Sequence, residues 1–326
     1  MTPSNLTLLL PDLERLIHGG GEWPTLPTLQ RLLSRGDRQS LSDDHNATLL
    51  ALFDLQADDT GPLAPLRALG DGLEVAERWW LCADPVHLVA DRDQLYLSAH
   101  EALAVRQGEA EALIAALNRL YADEGWRFIA SAPDRWYLQL PAALAMQTIP
   151  TSTAMGRRVG EVLPRGKDAM NWQRVMTEIQ MLFHSESVNL QREAEGQLAI
   201  NSLWFWGGGA VPEPSPAVRW QCIVTDDPLL LGLAKLHGVE TRSHVAELKD
   251  LPIVQGEVLW QPTVSSLKAF EAQVLVPLTA QIKSGKLNKL ELIVPERGRW
   301  LLGRKTLRRW WRRNRPLSSL LGNPGT

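Results

Sequence analysis

The C-terminal half of the chain alternates short apolar runs with amphipathic segments, and this alternation constrains the fold most strongly. Residues 222–241, CIVTDDPLLLGLAKLHGVET, have the order of a strand, an acidic turn, a helix with Pro228 in its first turn, and a terminating glycine. The runs 257–262 and 290–296 have the composition of strands, and residues 265–282 that of a helix between them. Strands that alternate with helices predict a parallel, doubly wound α/β sheet.

The N-terminal segment follows the same order. An apolar run over residues 6–10 stops at Pro11 and Asp12, and residues 24–36 then carry leucines at helical spacing. A second helix is predicted over residues 46–55. Because open α/β sheets bind ligands at the carboxyl ends of their strands, Asp12 is the first candidate for a catalytic or metal-binding residue.

Residues 77–140 depart from this alternation. They contain, in order, a buried strand, a hairpin, a helix and two short strands, predicted at 77–82, 86–97, 109–124, 126–131 and 135–140. This order predicts a small α+β insert over residues 85–150, within a discontinuous α/β domain formed by residues 1–84 and 151–326. The breaker-rich segment 150–168 is interpreted as a linker.

Charge is distributed unevenly along the chain, although the formal net charge is only −3. Residues 297–326 contain eight Arg, one Lys and no acidic residue, which leaves 25 basic and 37 acidic residues in the rest. No apolar run is long enough to span a membrane, and the N-terminal LTLLL lacks the basic flank of a signal peptide, so we expect a soluble, cytoplasmic protein. Cys82 and Cys222 each lie in an apolar run and are predicted to be buried free thiols.

Residues 200–209, INSLWFWGGG, form an apolar run that ends in three glycines. Such a run predicts a buried strand that leads into a turn without side chains, and turns of this kind often face a ligand. A helix predicted over residues 172–184 precedes it. The ligand-binding candidates belong to this run and to the polar residues before it: Asn201, Gly207, Gly208, Gly209, Glu178, His184 and Arg192. The favoured interpretation of the polar residues is that they lie on helix surfaces or cap helix ends.

Asp226 and Asp227 precede Pro228 at a predicted strand-to-helix turn. Carboxylates at such a position commonly cap the helix and interact with its positive end, which is the favoured interpretation. Paired acids can also perform general acid–base chemistry or bind a cation. The two residues therefore remain candidates for a catalytic role beside a capping role.

The segment 303–316, GRKTLRRWWRRNRP, is the most distinctive feature of the predicted surface. If it is helical, Leu307, Trp310 and Trp311 share one face and the arginines surround it. Basic residues with interleaved aromatics suit nucleic acid, an acidic protein or an anionic membrane surface. The favoured interpretation is that the tryptophans dock on the rest of the chain while the arginines pair with its excess negative charge. The candidate partner-binding residues are Arg308, Arg309, Trp310, Trp311, Arg312 and Arg313.

Several stretches carry a family resemblance. Four stretches resemble archaeal-type cofactor-independent phosphoglycerate mutases, which belong to the alkaline phosphatase superfamily. They are NSLWFWGGGAVPEP, CIVTDDPLLLGLAKLHGVE, LLLPDLERL and PTLPTLQRLLSRG. Two stretches are similar to the bacterial RpfE-type regulatory proteins: PDRWYLQL and LPRGKDAMNWQRVMTEIQMLFHSESVNLQREAEGQLAINSLWFWGGG. This resemblance is closer and covers nearly the whole chain. These resemblances imply a three-layer, alkaline-phosphatase-like α/β fold with a mostly parallel sheet and a small α+β insert.

Enzymes of that superfamily hold two divalent metals with Asp and His ligands and use a Ser or Thr nucleophile, because phosphoryl transfer depends on charge neutralisation and in-line positioning. Asp12 matches the first ligand position, although Leu13 replaces the usual glycine. Where the family has further Asp and His ligands, this chain has LWQPTVSSLKAFE and residues 295–297, Pro-Glu-Arg. The Asp44–His45 pair lies in the other half, and no Ser or Thr between residues 40 and 60 has the setting of a nucleophile.

The resemblance and these departures together predict a regulatory or interaction protein of the RpfE type on a degenerate phosphoglycerate-mutase-like fold. We expect no metal or cofactor, and an unidentified protein partner. The first alternative is an active metal-dependent phosphoglycerate mutase or phosphatase with rearranged ligands. The second is a nucleic-acid-associated protein that uses the basic C-terminal segment.

Overall fold

The computed structural model describes residues 4–11, 13–18, 23–42, 44–55, 61–75, 77–92, 94–243, 245, 248–251 and 256–322. The chain divides into two compact units. The first unit comprises Met1–Gln56 and Pro214–Thr326, and the second unit is Ala57–Glu213.

The helices and strands of the described residues follow one another in three segments. The N-terminal segment of the first unit contains β1 (Asn5–Leu9), α1 (Leu13–His18), α2 (Pro27–Arg35), β2 (Asp37–Gln39) and α3 (His45–Ala51). The second unit contains α4 (Leu63–Gly70), β3 (Trp79–Asp91), β4 (Gln94–Ala99), α5 (Gln107–Leu120), β5 (Arg127–Ala132), β6 (Arg135–Leu140), β7 (Met146–Gln147), α6 (Thr151–Ala154), α7 (Val159–Val162), β8 (Arg165–Gly166), α8 (Ala169–Ser185), α9 (Ser187–Ala194) and β9 (Ser202–Gly209). The first unit then continues with β10 (Trp220–Val224), α10 (Pro228–Leu236), β11 (Glu240–Arg242), β12 (Glu257–Trp260), α11 (Leu267–Phe270), a π-helical turn (Glu271–Leu275), α12 (Val276–Ser284), β13 (Lys289–Val294), β14 (Gly298–Gly303), α13 (Arg304–Leu307) and α14 (Leu317–Leu321).

The first unit is built on a sheet that has seven strands within the described residues, in the order β11-β10-β12-β1-β13-β14-β2. β1 runs parallel to β12 and β13, and β10 runs parallel to β11 and β12. The pairs β13–β14 and β14–β2 are antiparallel. The predicted fold class, an α/β fold with a mostly parallel sheet, is confirmed.

Helices cover both faces of this sheet. Leu6 and Leu8 of β1 enter an apolar core together with leucines of α2, α12 and α14, because alternate side chains of a strand share a face. On the opposite face α10 packs against β10 and α3. The indole Nε1 of Trp220 in β10 donates to the carbonyl of Leu52, just after α3, at 2.9 Å. The first unit therefore has three layers.

The second unit is organised around β3, a strand of 13 residues. The first part of β3 pairs antiparallel with β6 on one edge and with β9 on the other, and its last part pairs antiparallel with β4. β5 extends the sheet beyond β6, and β7 and β8 form a separate two-stranded ladder. The glycine-ending strand β9 thus belongs to an antiparallel sheet, although the sequence analysis placed it in the domain of the parallel sheet.

The compact units differ from the predicted domains. The predicted boundary between residues 84 and 85 falls inside β3, which pairs continuously across it. Residues 57–84 and 151–213 lie with residues 85–150 in the second unit, because α4 and α8 pack on β9. The segment 150–168, interpreted as a linker, supplies buried side chains to this unit, among them Thr151, Val159 and Val162.

The C-terminal region also differs from the prediction. β14 follows the strand predicted at residues 290–296, and no strand was predicted at its position; Trp300 and Leu302 of β14 are buried. Helix α13 ends at Leu307, so Trp310 and Trp311 are not on a common helical face with it. Leu307 is buried, whereas the two tryptophans are 80% and 64% exposed.

Two further expectations concern thiols and membrane spans. Cys82 and Cys222 are buried and unpaired, as predicted, and burial raises the pKa of both thiols. None of the helices in the described part of the chain combines the length and the apolar character that a bilayer span requires.

Candidate functional site

The carboxyl edge of the parallel strands is the first place to look for a ligand site in the first unit. Thr225 follows β10, and its hydroxyl donates to Oε1 of Gln261, which follows β12, at 2.7 Å. The backbone N–H of Asp227 donates to the same hydroxyl oxygen at 3.0 Å. Thr225 is buried. The polar groups at the ends of these two strands therefore satisfy one another.

Next to this pair the edge of the sheet is apolar. A cavity of about 10 Å³ lies there, close to the smallest space that holds one water molecule. Its lining residues are Leu10, Pro11, Leu13, Leu16, Pro262 and Val264. Asp12, the candidate first metal ligand, lies outside the described residues.

Asp227 caps helix α10. Its Oδ1 accepts hydrogen bonds from the backbone N–H groups of Leu229 at 2.8 Å and Leu230 at 3.1 Å. The capping interpretation is confirmed for Asp227, and one carboxylate oxygen satisfies two of the N–H groups that a helix leaves unpaired. Asp226 is exposed at the same turn.

The residues that follow β13 do not form an open ligand loop. Glu296 has a φ of +64° in the tight turn between β13 and β14, and Arg38 donates to the carbonyl of Arg297 at 2.7 Å. Across the described ranges, no three His, Cys, Asp or Glu side chains come together as metal ligands. The described residues at this edge do not fit a site in which two metals are held by several Asp and His side chains.

The glycines of β9 let helix α4 approach the backbone closely. A Cβ at Gly209 would lie 2.6 Å from Cβ of Pro62, and one at Gly207 would lie 3.0 Å from Cβ of Leu63. Gly207 also has a φ of +67°, which disfavours other residues. The glycines therefore have a packing role that the sequence analysis did not predict.

Asn201 continues the pairing of β3 with β9 through its side chain. Its Oδ1 accepts from the backbone N–H of Leu88 at 2.7 Å, and its Nδ2 donates to the carbonyl of Leu88 at 2.8 Å. Its own backbone N–H donates to Val86 at 3.2 Å. The amide predicted to meet a ligand thus imitates a backbone group of a neighbouring strand.

Arg192 is enclosed by protein acceptors and is 1% exposed. Its Nε donates to the carbonyl of Leu198 at 2.8 Å, and its Nη2 to that of Leu103 at 2.6 Å. Its Nη1 forms an ion pair with Glu109 at 2.6 Å. These contacts give the guanidinium a structural role in place of the predicted ligand contact.

Glu178 and His184 are exposed on α8. Glu178 accepts a hydrogen bond from the hydroxyl of Tyr121 at 3.3 Å. Glu178, Asn201 and Arg192 each have partners other than the three glycines. The predicted polar set therefore does not converge on the glycine turn.

A cavity of the second unit does reach the glycines. It has a volume of about 690 Å³, within the range of small-molecule sites. A second cavity of about 380 Å³ adjoins it and shares Trp79 and Ala210. We call the two cavities together the basic cleft. Its larger part is lined by Pro62, Trp79, residues 144–147, residues 165–167 and residues 208–210; its smaller part is lined by Val75, residues 77–79, residues 141–143, Ala210 and Val211.

Arg165 and Lys167 are the cations of the larger cavity, and the β7–β8 ladder positions them. Gly166 between them has a φ of +123°, and a Cβ there would lie 2.5 Å from the carbonyl oxygen of Ala145. Only glycine fits this approach, so the two cations flank a position where the backbones are in close contact. Asp168 accepts from the N–H of Ala145 at 2.7 Å and fixes the end of the ladder.

A buried network in the same unit holds α4, whose N-terminal end contributes Pro62 to the cleft. Asp71, at the C-terminal end of α4, accepts from the hydroxyls of Ser131 and Tyr137 at 2.7 Å each. Arg135 donates to both carboxylate oxygens at 2.8 and 2.9 Å. Burial by itself raises the pKa of the Asp71 carboxyl, but the hydrogen bonds from Arg135, Ser131 and Tyr137 outweigh it and hold the pKa below its ordinary value of 3.8.

A second carboxylate, Asp84 of β3, is buried near β9. It accepts from the indole Nε1 of Trp206 at 2.7 Å and from the hydroxyl of Thr151. Asp71, Asp84 and the two cations of the cleft were not predicted from the sequence. The available signal was the RGKD sequence in a breaker-rich segment, where a glycine separates two cations.

In the C-terminal basic segment, two of the candidate arginines are bonded to other parts of the chain and two are exposed. Arg309 forms a two-pronged ion pair with Asp37, and Arg312 donates to the carbonyl of Gly36 at 3.0 Å. Arg308 and Arg313 are exposed, with no ion pair to any described residue. Docking of this segment therefore proceeds through arginines and not through the tryptophans.

Trp310 and Trp311 project from the anchored segment. Their rings meet edge to face, with centroids 6.0 Å apart and planes at 83°. Their exposed fractions of 80% and 64% leave most of both rings accessible.

Sequence comparison relates the chain to cofactor-independent phosphoglycerate mutases. Over 157 residues, 46% of this chain, it is 29% identical to the 2,3-bisphosphoglycerate-independent phosphoglycerate mutase of Methanosarcina mazei, covering 38% of that protein. Over 166 residues, 49% of this chain, it is 26% identical to the probable enzyme of the same name from Geobacter sulfurreducens, covering 40% of it. The matches thus span about two fifths of these relatives' length, and no protein-family model matches the chain.

A solved structure of cofactor-independent phosphoglycerate mutase from Thermoplasma acidophilum aligns with 99% of this chain and 95% of its own, at a TM-score of 0.48 and 17% identity. The predicted distant resemblance to phosphoglycerate mutases is confirmed by the sequence relatives. The resemblance to RpfE-type proteins stays a prediction.

Proposed function

We propose that this protein acts by binding, as a regulatory or interaction protein on a phosphoglycerate-mutase-like scaffold, and that it does not catalyse metal-dependent phosphoryl transfer. The observation that carries the proposal is the carboxyl edge of the large sheet. There Thr225 and Gln261 bond to each other, Asp227 caps α10, and Pro262 and Val264 close the remaining space. Phosphoryl transfer needs charged ligands at such an edge, because its transition state must be neutralised and aligned.

The first test is a metal analysis of the purified protein together with mutase and generic phosphatase assays. We expect neither stoichiometric Mn or Zn nor turnover of 3-phosphoglycerate or p-nitrophenyl phosphate. Stoichiometric metal with turnover would establish the alternative, an active mutase or phosphatase with rearranged ligands. An Asp12→Ala variant that abolished such turnover would identify Asp12 as part of the active site.

A second candidate function, binding of nucleic acid, is favoured by one specific observation. Two exposed tryptophans stand beside Arg308 and Arg313 on a segment that Arg309 and Arg312 fasten to residues 36–37. Exposed indole faces stack on unpaired bases, and cations beside them meet phosphates. A fixed presentation also reduces the entropy lost on binding.

The arginines provide a matched test of this second function. We expect Arg308→Ala/Arg313→Ala to weaken the binding of a fluorescent single-stranded RNA about tenfold at low salt, and the wild-type affinity to fall as salt increases. Trp310→Ala/Trp311→Ala should weaken binding similarly through lost stacking. Lys283→Ala, an exposed cation of α12, is the control. Binding that both double variants retain in full would remove this function.

A further inference from the structure

We propose that the basic cleft of the second unit binds a nucleoside phosphate. This inference rests on the proposed function, since it gives a non-catalytic binding protein its ligand. The cleft lies entirely on residues of the second unit. It has two unlike parts, and each part fits one portion of such a ligand.

The larger part has the charge and backbone character of a phosphate subsite. Arg165 and Lys167 are both exposed at its wall, and among the described residues no carboxylate lines this part of the cleft. The nearest acid in sequence, Asp168, is engaged with the backbone N–H of Ala145. Gly208 and Gly209 also line this part of the cleft and carry no side chains. Two cations at the wall of an open cavity suit a diphosphate, which needs charge and room together.

The smaller part is mainly apolar. Val75, Pro141, Ala142, Ala143 and Val211 supply most of its wall, with Arg78 and Glu77 as its charged residues. Its volume of about 380 Å³ is sufficient for a purine or pyrimidine ring system. A fully polar sugar phosphate or phosphoglycerate would leave this apolar surface without a partner.

Trp79 joins the two parts. Its side chain lines both cavities, and it is only partly buried. One edge of its indole lies beside Gly208, where a Cβ would be 3.2 Å from Nε1. A flat aromatic group can stack on such a ring. A base on Trp79 and a diphosphate on Arg165 and Lys167 would place both portions of one ligand in the cleft.

The inference is tested by isothermal titration of the full-length protein with ADP, with adenosine and inorganic phosphate as separate probes. We expect ADP to bind with a Kd on the order of 10–100 µM and each fragment to bind at least about tenfold more weakly. Arg165→Ala/Lys167→Ala should weaken ADP binding at least about tenfold. Trp79→Leu should weaken ADP and adenosine together and leave phosphate unchanged.

Arg174→Ala, an exposed cation on α8 outside the cleft, is the matched control and should bind ADP as the wild type does. The affinity of the wild-type protein should increase from AMP to ATP and fall as salt is added, and this measurement needs no variant. The inference is overturned if ADP does not bind at about 1 mM, or if the double variant and the control bind it equally. Metal content and turnover, measured on the same preparation, report on the proposed function independently.

Discussion

Replacing Arg192 by methionine is expected to lower the free energy of unfolding by about 3–5 kcal/mol. The guanidinium is buried, and its three nitrogens donate to Leu198, Leu103 and Glu109. Methionine fills part of the volume but leaves the Glu109 carboxylate, 12% exposed, without its buried cation. The two carbonyls also lose their donors. Urea unfolding followed by circular dichroism of the full chain measures the change.

Arg174→Met on the same unit is the control, since an exposed arginine without a described ion pair should change stability by less than about 0.5 kcal/mol. Arg192→Lys should recover only part of the loss, because one ammonium nitrogen cannot reach all the acceptors that the three nitrogens of the planar guanidinium bond separately. A variant at Arg192 with wild-type stability would contradict the structural role. It would return Arg192 to the ligand-binding candidates.

Asp71→Asn is expected to lower the free energy of unfolding at pH 7 by about 3 kcal/mol. The carboxylate of Asp71 accepts four hydrogen bonds, two of them from the guanidinium of Arg135, and its side chain is 7% exposed. The amide cannot accept at both terminal positions, so one donor of Arg135 or a hydroxyl is left unpaired. Asp134→Asn, an exposed change in the adjoining turn, should be close to neutral.

The same variant has an expected pH signature. The folded-state pKa of Asp71 is below its ordinary value of 3.8, so its contribution to stability is complete above that value and is lost as pH falls through the lowered folded pKa. The difference in stability between wild type and Asp71→Asn should therefore shrink as the solution is acidified below about pH 4. Urea titrations at a series of pH values measure it. A difference that stays constant down to pH 2 would show that Asp71 is not the titrating group.

Arg192 and Asp71 both lie in the second unit, which also contains the basic cleft. Asp71 ends α4, and α4 begins beside Pro62 in the wall of the cleft. We therefore expect Asp71→Asn to weaken ADP binding less than Arg165→Ala/Lys167→Ala does, and to weaken it only as far as the protein is destabilised. The two kinds of effect separate residues that contact a ligand from residues that support its site.

Local patterns were sufficient to predict the parallel sheet of the first unit. The strand, turn and helix of β10 and α10 occupy neighbouring residues, and so do the proline and the capping carboxylate of Asp227. Periodicity, capping and breakers act within a few residues of the chain, so the sequence displays them directly. The buried state of Cys82 and Cys222 followed from the apolar runs that contain them.

The pairing of β9 could not be predicted in the same way. A run of apolar residues that is buried on both faces has the same appearance in a parallel and in an antiparallel sheet. Ala83 of β3 pairs with Phe205 of β9, and nothing in the sequence of either run identifies the other as its pairing partner. The extent of the second unit, which differs from the predicted domains, depends on that pairing.

The hydrogen-bond and ion-pair partners of the polar residues could not be predicted from the sequence either. Arg192 meets Glu109, 83 residues away, and Asn201 meets Leu88, 113 residues away. Their closeness in sequence to the glycines suggested a shared pocket, whereas their hydrogen bonds are structural. The cations of the cleft, Arg165 and Lys167, lie in a segment that resembled a linker and acquire their position from the β7–β8 ladder.

The sequence by itself determined the α/β class, the cap of α10, the concentration of arginines at the C-terminal end and the distant relation to phosphoglycerate mutases. The tertiary structure decided which strand β9 joins, why its glycines are needed, which arginines of the C-terminal segment are anchored, and where a cleft forms. The physical reason is the range of the interactions. Hydrophobic period and helix capping act between near neighbours, while close backbone approach, buried ion pairs and cavities arise between residues that only folding brings together.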